Sequence, residues 1–74
     1  MKKEEDEYQI LHHFAHNVRH LREAIGLSQE KLAEKSGLHR TYIGSIERTE
    51  KVPSLLTILK IAKALNVHVS QLID

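Results

Sequence analysis

The 74-residue sequence predicts an all-α domain of five short helices around a single core. Apolar residues recur at helical spacing along most of the chain, and Ser, Gly and Asn stand where helices would begin or end. Only one Pro and three Gly interrupt it, with few β-branched runs before residue 52.

Residues 1–7 set two lysines against four acids, a net charge of −2, and read as an acidic N-terminal lead-in whose acids would also suit a first helical turn. Residues 8–74 make up one domain, which then carries +3 of the formal +1 total. Leu11, Phe14, Val18, Leu21 and Ile25 follow at spacings of 3, 4, 3 and 4, one apolar stripe on a first helix closed by Gly26. Ser28 caps a second helix, with Leu32 and Ala33 facing inward and Gly37 ending it. A third runs from about His39 to Arg48, with Tyr42 or Ile43 and Ile46 as its apolar contacts. Beyond Pro53, Ser54 caps a fourth helix whose stripe is Leu55, Ile58, Leu59, Ala62 and Leu65, closed by Asn66. A last short turn carries Leu72 and Ile73.

Bulk properties remove several classes of function. Without Cys there are neither disulfides nor thiolate ligands, and so small an unstapled domain is expected to dimerise. No apolar run approaches the roughly 18 residues that span a membrane, and no signal peptide follows the N-terminal lysines, so a cytoplasmic location with no membrane partner is expected. Catalysis lacks a nucleophile elbow, a phosphate-cradling glycine loop and room for a pocket. Three aromatic residues are too few for an RNA-stacking platform. His12, His13, His16 and His20 share one arc of the first helix, and His at i and i+4 can ligate Zn²⁺ or Ni²⁺. No Cys completes such a site and a solvated face is the plainer reading, so neither metal nor cofactor is expected.

Residues 28–48 hold two short helices about a tight Ser36-Gly37-Leu38 connection. That gap forces a steep crossing, as in a helix-turn-helix, and leaves the second helix free to enter a DNA groove. Recognition helices meet base edges with their N-terminal residues, here Arg40 and Thr41, with Gly44 and Ser45 a turn later. Arg40 can donate two hydrogen bonds to guanine O6 and N7, worth about 1–3 kcal/mol of discrimination. Thr41 offers a methyl to thymine and a hydroxyl to base or phosphate. Gly44 permits close approach, and Ser45 can reach a base or phosphate. Arg48 suits a phosphate contact, as does Lys51, for which a solvated loop charge is the alternative. Tyr42 turns either its hydroxyl to phosphate or its ring to the core.

Leu21-Arg22, Gly26-Leu27-Ser28-Gln29, Leu32-Ala33, Ser36-Gly37, Tyr42-Ile43, Ile46-Glu47 and Ala62-Lys63-Ala64-Leu65-Asn66-Val67 together resemble the Cro/C1-type (XRE-like) helix-turn-helix family over about residues 12–73. The resemblance implies a lambda-repressor-like, sequence-specific DNA-binding regulator. The segment Gly37 to Ile43 and the absence of a second domain resemble most the controller proteins of restriction–modification systems, small dimeric regulators of their own operators. It implies a homodimer on a pseudo-palindromic double-stranded operator with half-sites about 34 Å apart, controlling its own and an endonuclease gene, with RNA polymerase as a further partner. It places Gln29 against DNA and pairs Arg22 with Glu47 in an internal salt bridge. Two positions depart from the family pattern. His39 sits at the recognition-helix cap, where Asp, Ser or Thr serve better, and its imidazole would instead contact phosphate, tightening binding at lower pH. Thr49 replaces a Gly, and a β-branched residue tolerates φ > 0 poorly. Val69, Gln71 and Ile73 are the expected dimer contacts, against the alternative that Val69 and Ile73, like Leu72, only cap the core. The competing functional readings are an antitoxin-type helix-turn-helix protein that neutralises a protein partner, and a phage-type repressor.

Overall fold

The computed structural model describes residues 3–74, with side chains from Glu7 onward. Five helices follow in order: α1 (Lys3–Ala24), α2 (Gln29–Ser36), α3 (Arg40–Glu47), α4 (Leu55–Leu65) and α5 (Ser70–Ile73). From Lys3 the acidic lead-in is already helical backbone; the side chains of residues 1–6 lie outside those described.

Local chemistry sets the boundaries. Ser28 Oγ accepts the Lys31 amide at 3.0 Å and Ser54 Oγ the Thr57 amide at 3.1 Å, each relieving an unpaired N–H of the first turn. Gly37 ends α2 at φ +75°, where its amide reaches the Ala33 carbonyl at 2.9 Å; a side chain there would strain the turn between α2 and α3. Asn66 ends α4 at φ +58°, a conformation Asn adopts more easily than most residues.

Phe14 and Val18 of α1, Leu32 of α2, Ile43 and Ile46 of α3, Ile61 and Leu65 of α4, and Leu72 of α5 form the core. Each fully buried aliphatic side chain contributes about 1.5–3 kcal/mol of transfer free energy. That matters most for α5, whose four residues cannot form a stable helix alone. Leu72 is fully buried, and Asn17 Nδ2 donates to its carbonyl at 3.0 Å, so α5 is held by α1.

The structure corrects two parts of the sequence reading. Ile25 falls beyond α1 and is exposed. On α4, Leu55 and Leu59 are exposed at 69 % and 45 %, while Ile61, absent from the expected stripe, is fully buried and Thr57 lies beside it. Leu56 is also exposed, so α4 carries apolar residues on both its inner and outer arcs. α1 is about 33 Å long at 1.5 Å per residue, longer than the 22 × 20 Å cross-section of the molecule.

Candidate nucleic-acid interface

The base of the reading head is a buried ion pair. Arg22, at the C-terminal end of α1, donates from Nε to Glu47 Oε2 at 2.7 Å and from Nη2 to Glu47 Oε1 at 2.9 Å. Its Nη1 donates to the Leu27 carbonyl at 2.7 Å. Gln29 Nε2 adds a hydrogen bond to Glu47 Oε1 at 3.0 Å. Only 10 % of the Arg22 side chain and 3 % of that of Glu47 reach solvent. Hydrogen bonding to Glu47 is the main cause that raises the Arg22 pKa above its ordinary value, against the opposing effect of burial. The network joins the end of α1, the start of α2 and the end of α3, and so fixes the angle between the two helices of the turn. No buried side-chain nitrogen or oxygen among the described residues is left without a partner.

Above this base, Gln29, Arg40, Thr41, Gly44 and Arg48 line one open groove of about 610 Å³ between the N-termini of α2 and α3. Arg40 and Thr41 are exposed on the first turn of α3. Arg40 rests against Glu30 at 3.5 Å. Arg48 lies across the helix: a Cβ added at Gly44 would come within 3.0 Å of Arg48 Nη1 and 3.5 Å of Gln29 Oε1. Its other contacts are with Glu50, Nε to Oε2 at 3.0 Å and Nη2 to Oε1 at 3.2 Å. Two exposed cations thus face the groove, each lightly held by an exposed carboxylate.

Other expected site residues fall elsewhere. Ser45 is buried and its Oγ donates to the Thr41 carbonyl at 3.0 Å, so its hydroxyl serves its own helix and not the outer face. Tyr42 is half-buried with its ring packed on the core. Lys51 is exposed in the α3–α4 loop, outside the groove. Val69 is half-buried against the core, and the Gln71 side chain accepts the His68 amide at 3.0 Å. Ile73 is 42 % exposed. Glu30 and Glu50 were missed by sequence reasoning; their only signal was a carboxylate near each arginine in sequence or across the turn.

A family model described as helix-turn-helix matches residues 18–72. The chain belongs to the helix-turn-helix family. Control protein C.SmaI of Serratia marcescens is 58 % identical over 59 residues, 80 % of this chain and 70 % of that protein. Control protein C.BamHI of Bacillus amyloliquefaciens is 48 % identical over 62 residues, 82 % and 76 % of the two chains. The crystal structure of the restriction–modification controller protein C.AhdI from Aeromonas hydrophila superposes with a TM-score of 0.82 at 48 % identity, covering 84 % of this chain and 94 % of that one. This chain is a DNA-binding helix-turn-helix regulator, similar to restriction–modification controller proteins. C.SmaI and C.BamHI are control proteins, and C.AhdI is a controller protein.

Two departures from the helix-turn-helix pattern have structural answers. His39 does cap α3: its Nδ1 accepts the Thr41 amide at 3.1 Å, which requires the tautomer protonated at Nε2. A proton on Nδ1 would abolish that cap, opposing any gain from an imidazolium–phosphate contact at low pH. Thr49 takes up φ +63° regardless of its branched Cβ. The turn is held by Thr49 N–H to the Ile46 carbonyl at 3.0 Å and Glu50 N–H to the Ser45 carbonyl at 2.8 Å.

On the outer face of α1, His16 and His20 stack with centroids 6.0 Å apart, and His13 bonds to the Asp74 carbonyl. Among the described residues no group of three or more His, Cys, Asp or Glu is arranged to hold a metal ion, and no helix is long and apolar enough to cross a membrane.

Proposed function

We propose that this chain is a controller protein of a restriction–modification system, binding a pseudo-palindromic operator as a homodimer and regulating its own gene and an endonuclease gene. The observation that carries the reading is the exposed pair Arg40 and Thr41 at the open end of α3, above a groove floored by Gly44. Arg40 is the base-reading residue, through a bidentate contact with guanine, and Thr41 reads beside it. Gly44, buried beneath Arg48 and Gln29, leaves room for those two side chains to lie over the helix. Gln29 and the free amides at the start of α2, together with Arg48, His39 and Lys51, face the phosphates. Ser45, with its hydroxyl committed to Thr41, drops out of the base-reading set.

The dimer face lies on the outer arc of α4. Leu55, Leu56 and Leu59 are exposed there, with Ile73 of α5 also exposed. Leucines gathered on an exposed arc need cover, and a twofold axis beside α4 supplies it with a second copy of the same surface. This shifts the expected contact from Val69 and Gln71 onto the α4 leucines, retaining Ile73.

Selection of bound sites from a random DNA pool tests the reading. Enriched sites with two inverted half-sites about 34 Å apart support it. Enrichment of unpaired or unrelated sequences, or a chain that stays monomeric on and off DNA, would overturn it.

A further inference from the structure

The first described side chains of α1 stand at the edge of the domain, where Tyr8 and Ile10 are left largely exposed. Tyr8, Ile10 and Leu11 form one wall of an open groove of about 760 Å³, opposite Val52 and Pro53 of the α3–α4 loop and Ile73 of α5. Tyr8, Ile10 and Val52 are 65 %, 56 % and 81 % exposed. Large apolar side chains gathered at one place, and not scattered, mark a surface that takes a partner.

We propose that this groove is a second layer of the dimer interface, in which the N-terminal part of α1 of one copy closes over Leu55 and Leu56 of the other. The inference rests on the homodimer reading above. Three features select a second copy as the occupant. Ile58 of α4 lines the groove, so the groove borders the helix that bears the proposed dimer face. The leucines begin two residues after the groove-lining Pro53, so a twofold axis near the start of α4 brings each copy's leucines to the other's groove, the reciprocal contact that such symmetry requires. Among the described residues, the groove's charged lining residue is Glu7, whereas the exposed arc of α4 carries Lys60 and Lys63, so these facing groups are complementary in charge.

Sedimentation equilibrium of the full chain tests this with three variants. Tyr8→Ala/Ile10→Ala is expected to raise the dimer dissociation constant at least tenfold while helicity by circular dichroism stays as in wild type. Glu7→Lys, at an exposed position that cannot disturb the core, is expected to raise it several-fold, with added salt narrowing the gap. Leu56→Asp, on the α4 face, is expected to leave the chain monomeric. A wild-type chain that is itself monomeric overturns the dimer reading and this proposal with it. A dimeric wild type and a monomeric Leu56→Asp variant, with Tyr8→Ala/Ile10→Ala and Glu7→Lys both dimerising as wild type does, overturn the α1 contact alone and leave the groove to some other protein.

Discussion

Arg22 and Glu47 meet through two hydrogen bonds, of 2.7 and 2.9 Å, in a site almost closed to solvent. A buried pair of this kind adds little net stability over an apolar replacement, but losing one member strands the other. Glu47→Ala is therefore expected to cost about 3–5 kcal/mol, read from urea unfolding. Base preference of the folded fraction should stay as in wild type. A loss below about 1 kcal/mol, the range of exposed pairs, would show that the site is wetter than the geometry indicates.

His39 caps α3 through a ring nitrogen, a task that Asp or Ser performs with an oxygen. His39→Ala should lower stability by about 0.5–2 kcal/mol, and His39→Asp should restore it. Thermal unfolding of the three chains at neutral pH decides the matter. Equal stability of wild type and the Ala variant would mean the ring contributes no cap.

Thr49 holds φ +63°, a conformation that costs a β-branched residue free energy and costs Gly far less. Thr49→Gly is expected to stabilise the protein by about 1 kcal/mol, the left-handed strain less the extra chain entropy of Gly. In a domain of this size that is a rise in Tm of roughly 4–8 °C. A fall in Tm would mean that the Thr side chain makes good its own strain.

Glu50 titrates below the ordinary carboxylate range, chiefly because Arg48 hydrogen-bonds to its ionised form. A lowered folded pKa contributes stability that is present above the unfolded value and lost as pH falls through the folded one. With both side chains more than half exposed, that contribution is small. Arg48→Ala should move the Glu50 midpoint upward, as followed by carboxyl NMR. An unmoved midpoint would show that the pair does not persist in solution.

Arg40 and Lys51 should separate reading from positioning. Arg40→Ala is expected to relax base preference at one operator position, by about 1–3 kcal/mol. Lys51→Ala should weaken all sites alike and reduce the salt slope by about one. Titrations against an operator series at several salt concentrations measure both. Arg40→Ala discriminating among operators as wild type does would remove Arg40 from the base-reading role.

Helix boundaries were the most legible part of the sequence, because Ser28, Gly37, Ser54 and Asn66 act through their own backbone and need no tertiary partner to be read. The two faces of α4 were not legible. Leu55, Leu56, Leu59, Ile61 and Leu65 surround that helix, and periodicity cannot say which arc meets the core when both arcs are apolar. The burial of Ser45 was not legible for a different reason. Helical spacing sets it beside Thr41, but spacing does not reveal that the side chain is buried and gives its hydroxyl to the Thr41 carbonyl. The groove residues Gln29, Arg40, Thr41, Gly44 and Arg48 were all named from sequence, whereas the carboxylates that hold its two arginines depend on side-chain directions that no spacing rule supplies.

Glu47 is shared by Arg22 and Gln29, so the recognition helix is clamped to α1 and α2 together and has no hinge of its own. In a dimer, two such heads behave as the jaws of a caliper. One base pair inserted between the half-sites shifts the second by about 3.4 Å and turns it by roughly 35° around the duplex, since about ten base pairs complete a turn of 34–36 Å. With no joint inside either jaw, that mismatch falls on the dimer seam or on the DNA. Spacing between half-sites would then be read as strictly as the bases within them.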